Sequence, residues 1–287
     1  MLTVSDVRGR PVRDHPNRLD RGAIRGASLA SDEITATLAS VEHTTKRDAA
    51  RTLGTSWILL LLFVLALGWV LTHPLESVVD PWDDSVERWL EDRRTPGLDL
   101  AAAIGSHVAD TIVGVGLAVV LALVAWRWQR STRPLVYYSL LVVPTLALYL
   151  VVTYFITRDR PPVKILDPGL VPDHSYPSGH VATAFVVYVA TAVYLTRTVP
   201  GSRRWVWPLY LVPLVVIPSR LYQGAHHPTD VLASLVFAPI WVAVVAHVVL
   251  GSRSGRDRLH HHVSLPDEDV GVRPDLDRPE QDPSRSG

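Results

Sequence analysis

Three short polar segments carry the residues of this sequence that could do chemistry, and each of them borders a long apolar run. The segments are TRDRPP at 157–162, PSGH at 177–180 and SRLYQGAHHPTD at 219–230. Ionisable groups beside membrane-like apolar runs are costly, so by default they mark function. The candidate residues in these segments are Arg158, Arg160, Ser178, Gly179, His180, Arg220, His226 and Asp230.

The PSGH segment and the arginines have the features of an anion site. Ser178 can cap the helix that follows it, and Gly179 lets an anion approach the free backbone N–H groups of the first turn. An N-cap serves any helix, so this tetrapeptide alone is a weak signal. Arg160 and Arg220 add planar, permanently charged groups that suit phosphate oxygens. Arginines at a membrane interface also commonly contact lipid headgroups, which is the alternative for both.

The third segment places two histidines just before a predicted helix. Pro228 favours the first turn of that helix, so Asp230 follows in the same turn. Because helical side chains tilt toward the N-terminus, we expect Asp230 to point at His226 and His227 to point elsewhere. A carboxylate on one imidazole nitrogen fixes the tautomer and leaves the other nitrogen free to attack. A solvated His–Asp pair at a helix start fits this segment equally well.

Two histidines, two arginines and a helix N-terminus together indicate phosphoryl transfer without a metal or other cofactor. One histidine attacks phosphorus, the arginines hold its oxygens, and the other histidine protonates the leaving oxygen. The sequence has no cysteine, which excludes disulfides, thiolate metal sites and cysteine nucleophiles. Its formal net charge of +0 gives no argument for a nucleic-acid partner.

The apolar runs predict the elements that must position these residues. A helix needs about 20 apolar residues to cross a bilayer, and six runs approach that length. The second run is long for one crossing, and its polar start holds His107 and Asp110 as a candidate interfacial pair. The fifth run is short and contains three prolines. The predicted spans are 56–73, 99–126, 135–156, 180–196, 206–219 and 230–250.

These runs predict an all-α fold, an integral membrane bundle of six helices. The six-span domain should occupy 53–250, between polar segments 1–52 and 251–287 that we expect to be mostly disordered. A soluble protein with buried helices is the alternative, but the runs contain almost no charge. Segment 83–92 could form a short amphipathic helix, either on the membrane surface or solvated.

Basic residues in the connecting segments predict the orientation. They follow the second and fourth runs and also flank the first and sixth, whereas the loop at 74–97 is net acidic. Both termini should therefore be cytoplasmic, with the three polar segments on the outer face of the plasma membrane. The arginines of the two internal basic loops are Arg127, Arg130, Arg133, Arg197, Arg203 and Arg204.

Taken together, the three polar segments resemble the motifs of the type-2 phosphatidic acid phosphatase family, which shares its core with the vanadium haloperoxidases. That family's pattern reads K-x6-RP, then PSGH, then SR-x5-H-x3-D. The end of the first motif is matched by Arg160-Pro161, and the second by 177–180. The third is matched by Ser219-Arg220, His226 and Asp230. The match covers about 153–230, and the six-span layout extends it to roughly 56–250.

The resemblance implies a role for each matched residue. His226 would be the nucleophile that forms a phosphohistidine, Asp230 would orient it, and His180 would be the acid for the leaving group. The expected activity is that of a membrane lipid-phosphate phosphatase acting on phosphatidate-like or polyprenyl (di)phosphate lipids. The implied phosphate-binding residues are Arg160, Ser178, Gly179 and Arg220.

One position departs from the family's pattern. The lysine of the first motif would fall at Thr153, so a phosphate-binding cation is missing from its usual place. Arg158 and Lys164 are the candidates to replace it, and we favour Arg158. Two alternatives remain beside the phosphatase: a lipid phosphotransferase, in which an alcohol accepts the phosphoryl group, and a catalytically silent family member that binds lipid. A soluble haloperoxidase is disfavoured by the predicted spans.

Overall fold

The computed structural model describes residues 46–168 and 170–251, and this part of the chain is helical. The predicted all-α class is confirmed there, since the only β-type pairing among the described residues is an isolated bridge between Arg158 and His174. The predicted tails lie mostly outside the described residues. The helices are α1 Lys46–Thr72, α2 Glu76–Glu91, α3 Pro96–His107, α4 Thr111–Gln129, α5 Arg133–Phe155, α6 Gly179–Thr198, α7 Val212–Tyr222 and α8 Pro228–Leu250.

Five of these helices, α1, α4, α5, α6 and α8, are long and apolar enough to cross a membrane. The prediction of six spans is therefore not confirmed. The predicted second span is divided into α3 and α4 by a turn at 108–110. The predicted fifth span becomes a 3₁₀ turn, Trp207–Leu211, followed by α7, which has 11 residues. That length gives about 16 Å, against roughly 30 Å of hydrocarbon.

The short helices α3 and α7 pack closely against each other. A Cβ added to Gly105 would overlap the Ser219 hydroxyl and come 3.0 Å from Val215 Cγ1, so the glycine allows this approach. The contact brings Ser106 of α3 within 2.6 Å of the Arg220 guanidinium of α7. The two short helices thus form one side of the site.

Helices α5 and α6 are joined by buried tyrosines whose hydroxyl groups all find partners. Tyr137 donates to the Ala190 carbonyl at 3.0 Å, and Tyr138 bonds the Thr191 hydroxyl at 2.9 Å. Buried hydroxyl groups are costly unless hydrogen-bonded, so these bonds fix the relative position of the two helices. Within α6, Ala184–Val189 is a π-helical segment, a feature often found near functional sites.

Helix α2 contains the predicted amphipathic segment but turns part of its acidic face inward. Asp83 and Glu87 are both 0% exposed, whereas Trp82 and Trp89 on the same helix are exposed. Burial raises the pKa of Glu87 to about 9, so this carboxyl is protonated near neutral pH. Asp83 instead accepts a hydrogen bond from the buried Arg158 guanidinium at 2.9 Å.

Gly114 of α4 gives a direct test of the packing between α4 and α6. A Cβ at Gly114 would overlap the side chain of Thr183, whereas a Cβ at Gly116 meets nothing within 4 Å. Overpacking typically costs about 1–3 kcal/mol. We therefore expect Gly114→Ala to lower the melting temperature of the detergent-purified protein.

The matched control is Gly116→Ala, two residues along the same helix. It should leave the melting temperature unchanged or raise it, because alanine is the better helix former by about 1 kcal/mol. Equal melting temperatures for the two variants would show that α4 and α6 are not in tight contact at Gly114.

Candidate active site

A cavity of about 360 Å³ lies where the N-terminus of α6 meets α5, α7 and the start of α8. One part of its wall is polar and includes six of the eight predicted residues. The other part is apolar, with Leu146, Leu150 and Phe237 among its members. The predicted residues that line the cavity are Arg160, Ser178, Gly179, His180, Arg220 and His226.

His226 is buried in the wall of this cavity, and its orientation is set by a backbone group. Its Nδ1 lies 2.6 Å from the Ser175 carbonyl oxygen. A carbonyl can only accept, so Nδ1 carries the proton and Nε2 keeps its lone pair. Burial, reinforced by the charge of Arg220, holds the pKa of His226 well below its usual value. The imidazole is therefore neutral at neutral pH, as a nucleophile must be.

Asp230 does not make the direct bond to His226 that the sequence predicted. Its Oδ2 accepts from the Ser175 hydroxyl at 2.5 Å and from the backbone N–H of His227 at 2.9 Å. The reason is its place in the first turn of α8, where its carboxylate folds back onto a free N–H. Asp230 thus holds Ser175, which in turn holds His226.

Arg158, predicted as a phosphate ligand, does not line this cavity. Its Nη1 donates to Asp230 Oδ1 at 2.6 Å, and its Nη2 donates to Asp80 and Asp83 at 2.7 and 2.9 Å. The Arg158 guanidinium therefore ties α2 to the start of α8. With His227 it faces a separate cavity of about 430 Å³, whose wall includes several acidic residues.

Arg160 lines the active-site cavity, and three of its five N–H donors bond the surrounding backbone. Nε donates to the Val171 carbonyl at 2.8 Å and Nη2 to the His174 carbonyl at 3.0 Å. Nη1 donates to the carbonyl of Ala225, the residue before His226. Arg160 therefore fixes the loop beside His226 and adds positive charge to the cavity.

Arg220 is fully buried and keeps unused donors. Its Nη1 donates to Ser106, to Asp167 at 2.7 Å and to Gln223 at 3.1 Å. Its Nε and Nη2 have no partner among the described residues. A buried donor without a partner typically costs about 1–3 kcal/mol, which an anion in the cavity would recover.

Ser178 also presents an unused polar group. Its hydroxyl is buried without a partner in the described part of the chain, and it does not cap α6 as the sequence predicted. Its backbone is held by α8, because the Ser178 carbonyl accepts from Ser234 Oγ at 2.9 Å. The hydroxyl stands at the N-terminus of α6, where free N–H groups favour an anion.

His180, the predicted acid, makes a contact that sequence reasoning missed. Its Nε2 lies 2.8 Å from Asp110 Oδ1. The predicted pairing of Asp110 with His107 is also present, at 2.6 Å through Oδ2. The spacing of His107 and Asp110 was visible in the sequence, but nothing in it linked them to a histidine seventy residues away.

Thr153, at the expected lysine position, does not line the cavity. Its hydroxyl donates to carbonyls of its own helix, Tyr149 at 3.0 Å and Leu150 at 3.2 Å. Tyr149, one turn earlier, does line the cavity and was missed because tyrosine is not part of the expected pattern. Lys164, the other predicted replacement, is also absent from the lining, and its backbone N–H bonds Glu91.

The arrangement combines a neutral buried histidine, a second histidine with a carboxylate partner, and unused donors around one cavity. Residues 134–254 match the PAP2 superfamily. The predicted resemblance to the type-2 phosphatidic acid phosphatases is thereby confirmed. The match begins at α5 and includes the PSGH segment and the whole third motif.

Individual relatives agree with the PAP2 match. The chain is 30% identical over 125 residues to undecaprenyl-diphosphatase BcrC of Bacillus subtilis, a region covering 42% of this chain and 61% of BcrC. It is 34% identical over 86 residues to an undecaprenyl-diphosphatase of Sulfolobus acidocaldarius, covering 30% of this chain and 37% of that protein. The chain thus spans less than two thirds of the length of either relative.

A solved structure shares the fold. The crystal structure of a transmembrane PAP2-type phosphatidylglycerolphosphate phosphatase from Bacillus subtilis superposes with a TM-score of 0.56. The superposition covers 71% of this chain and 96% of that one, at 23% sequence identity. The two proteins therefore share a helical fold.

Because Arg220 and Arg158 have different surroundings, substitution by glutamine should affect ligand binding at Arg220 and stability at Arg158. Inorganic phosphate or vanadate should raise the melting temperature of the wild type by binding in the cavity. Arg220→Gln should abolish this rise, since it removes the unused donors. Arg158→Gln should lower the melting temperature without ligand but keep the rise, because it breaks only the buried ion pairs.

The measurement is a thermal-shift titration of both variants in detergent, with sodium chloride at matched ionic strength as the control. A phosphate-dependent rise that survives in Arg220→Gln and is lost in Arg158→Gln would reverse the two assignments.

Proposed function

We propose that this protein is a membrane lipid-phosphate phosphatase that releases phosphate from phosphatidate-like or polyprenyl (di)phosphate lipids. The observation that carries the proposal is the single cavity lined by His226, His180 and Arg220 at one side and by apolar residues at the other. A phosphorylated headgroup fits the first side, and the beginning of an acyl or prenyl chain fits the second. The relatives named undecaprenyl-diphosphatase support the same substrate class.

In the first step, the lone pair on His226 Nε2 attacks phosphorus. The bond between phosphorus and the lipid oxygen breaks, and that oxygen takes a proton from His180 as it leaves. The unused donors of Arg220, the Ser178 hydroxyl and the N-terminus of α6 stabilise the charge on the phosphoryl oxygens. The products of this step are the dephosphorylated lipid and a phosphohistidine at 226.

In the second step, water attacks the phosphohistidine. His180, now neutral, accepts a proton from that water, and the bond between phosphorus and Nε2 breaks. Inorganic phosphate leaves, His226 regains its lone pair and His180 regains its proton. The cycle therefore needs no external oxidant, reductant or net proton.

The proposed chemistry uses no metal ion. The donors around the cavity are guanidinium, imidazole, hydroxyl and backbone N–H groups, which suit phosphate oxygens and not a divalent cation. Hard cations such as Mg²⁺ prefer carboxylate ligands. Within 46–168 and 170–251, no group of three or more His, Asp or Glu side chains is arranged to hold a metal.

Replacing each of the two neighbouring histidines in turn tests which of them is the nucleophile. His226→Ala should reduce phosphate release to background, because no other group lies in its place. His227→Ala should retain most of the rate, since His227 faces the acidic cavity and not the active-site cavity. Phosphate release should be measured on phosphatidate, phosphatidylglycerol phosphate, and polyprenyl mono- and diphosphates, with and without EDTA.

Activity that survives EDTA and is inhibited by vanadate supports the mechanism. Loss of activity in EDTA that Mg²⁺ restores would refute the metal-free chemistry. A folded His226→Ala variant with near-normal rates, or a trapped phosphohistidine at 227, would refute the choice of nucleophile.

The proposed orientation puts the active site at the outer face of the plasma membrane, with both termini in the cytoplasm. Thr132 and Asp159 are both exposed and flank opposite ends of α5. Since the chain has no native cysteine, single cysteines at these positions report the two sides independently.

In intact cells or right-side-out vesicles, Asp159→Cys should react with a membrane-impermeant thiol reagent and Thr132→Cys should not. Permeabilised membranes, in which both should react, provide the control. The reverse labelling pattern would place the active site in the cytoplasm.

A further inference from the structure

Asp110 connects an exposed histidine to the histidine of the cavity. Its Oδ2 lies 2.6 Å from His107 Nδ1, and its Oδ1 lies 2.8 Å from His180 Nε2. The side chains become steadily less exposed along this path: 72% for His107, 38% for Asp110 and 15% for His180. Both carboxylate oxygens are therefore engaged by imidazoles, one from the surface and one from the site.

The local structure holds this carboxylate in place. Asp110 occupies the N-cap position of α4, yet its side chain makes no capping bond to the helix. The preceding turn is fixed from α6, because Tyr188 donates from its hydroxyl to the Val108 carbonyl at 2.6 Å. Ala109 is fully buried. An aspartate at an N-cap usually bonds the first turn, whereas Asp110 uses both carboxylate oxygens on histidines.

The bond from Asp110 determines which nitrogen of His180 can act in the cavity. A carboxylate accepts the Nε2 proton, so Nδ1 is the nitrogen left to exchange a proton with substrate or water. The charges near His180 are those of Arg220, Asp110 and Asp167, with His226 also lining the same cavity. Asp110 is the carboxylate in direct contact with the His180 ring, at 2.8 Å, so its negative charge favours a proton on that ring.

We propose that Asp110 is a positioning residue that fixes the tautomer of His180 and stabilises its protonated form, with His107 holding the second oxygen of Asp110. This inference rests on the proposed function, in which His180 first gives a proton to the leaving oxygen and then takes one from water. Asp110 touches neither substrate nor phosphorus and acts only through His180.

The dependence of the reaction rate on the leaving group distinguishes this positioning role from a structural one. A lipid alkoxide needs protonation as it leaves, whereas a phosphorylated leaving group needs much less, and general acid catalysis is worth about 10²–10⁴ in rate. Asp110→Asn should therefore lower the single-turnover rate of lipid release from dioctanoyl phosphatidate about 100-fold. It should lower the same first-step rate on farnesyl diphosphate less than about 10-fold, because the first phosphoryl transfer there expels farnesyl phosphate.

Two further variants keep the test decisive. Asp110→Glu should recover part of the rate on phosphatidate, since it restores a carboxylate. His107→Gln changes an exposed side chain and should give a smaller loss, about 3–10-fold, again confined to phosphatidate. KM should change little in all three variants, because Arg220 donates its hydrogen bonds to Ser106, Asp167 and Gln223 and not to Asp110.

The outcomes separate the inference from the proposed function. A wild type that releases phosphate from neither substrate refutes the proposed function and the inference with it. An active wild type whose Asp110→Asn variant loses equal activity on both substrates, or loses none, refutes the inference alone. If Asp110→Asn does not fold, an unaltered phosphatidate rate in His107→Gln with no selective loss in Asp110→Glu refutes it equally.

Discussion

The buried ion pairs of Arg158 are the interaction on which the geometry of the site depends. One guanidinium bonds carboxylates from α2 and from α8, at 2.6–2.9 Å, while almost completely shielded from water. Breaking such a pair by removing one partner typically costs about 3–5 kcal/mol, since the remaining charge stays buried. The inward turn of α2 follows from this network, because Asp83 is buried only where Arg158 compensates it.

From Arg158 the constraint passes through Asp230 and Ser175 to His226. One carboxylate oxygen of Asp230 accepts a hydrogen bond from Arg158, and the other accepts one from the Ser175 hydroxyl. The Ser175 carbonyl in turn accepts a hydrogen bond from His226 Nδ1. His226 is thus oriented by a carbonyl and not by a carboxylate. Burial and the charge of Arg220 lower the pKa of His226, and a carbonyl offsets them less than a carboxylate would. Of the two histidines in the cavity wall, His180 is the one whose ring bonds a carboxylate directly, and it is the one proposed to carry a proton.

The sequence predicted the members of the cavity well and their mutual contacts less well. Arg160, His180, Arg220 and His226 were identified because helix ends and motif spacing determine which segments meet. The same spacing could not separate Arg158 from Arg160, two residues apart. Their difference depends on the carboxylates of α2, which lie more than seventy residues earlier.

The division of the second predicted span has a similar origin. The run at 99–126 is apolar almost throughout, so hydropathy favours one long helix. The break at 108–110 depends on tertiary contacts, in which Tyr188 bonds Val108 and Asp110 bonds His180. Asp110 was therefore read as part of a local pair, and its link to the site appeared only when α4 and α6 were placed together.

The short α3 and α7 pair also affects the bilayer around the protein. With 12 and 11 residues, these helices extend about 18 and 16 Å, roughly half the usual hydrocarbon thickness. Lipid beside them must thin or tilt to avoid exposing polar groups to hydrocarbon, at a cost of fractions of a kcal/mol per Å. Arg220, near the C-terminal end of α7, lines the same cavity as Gly179 at the start of α6, so the length that α7 lacks falls at its other end. The thinning that a short α7 favours is therefore expected at the membrane face opposite the cavity.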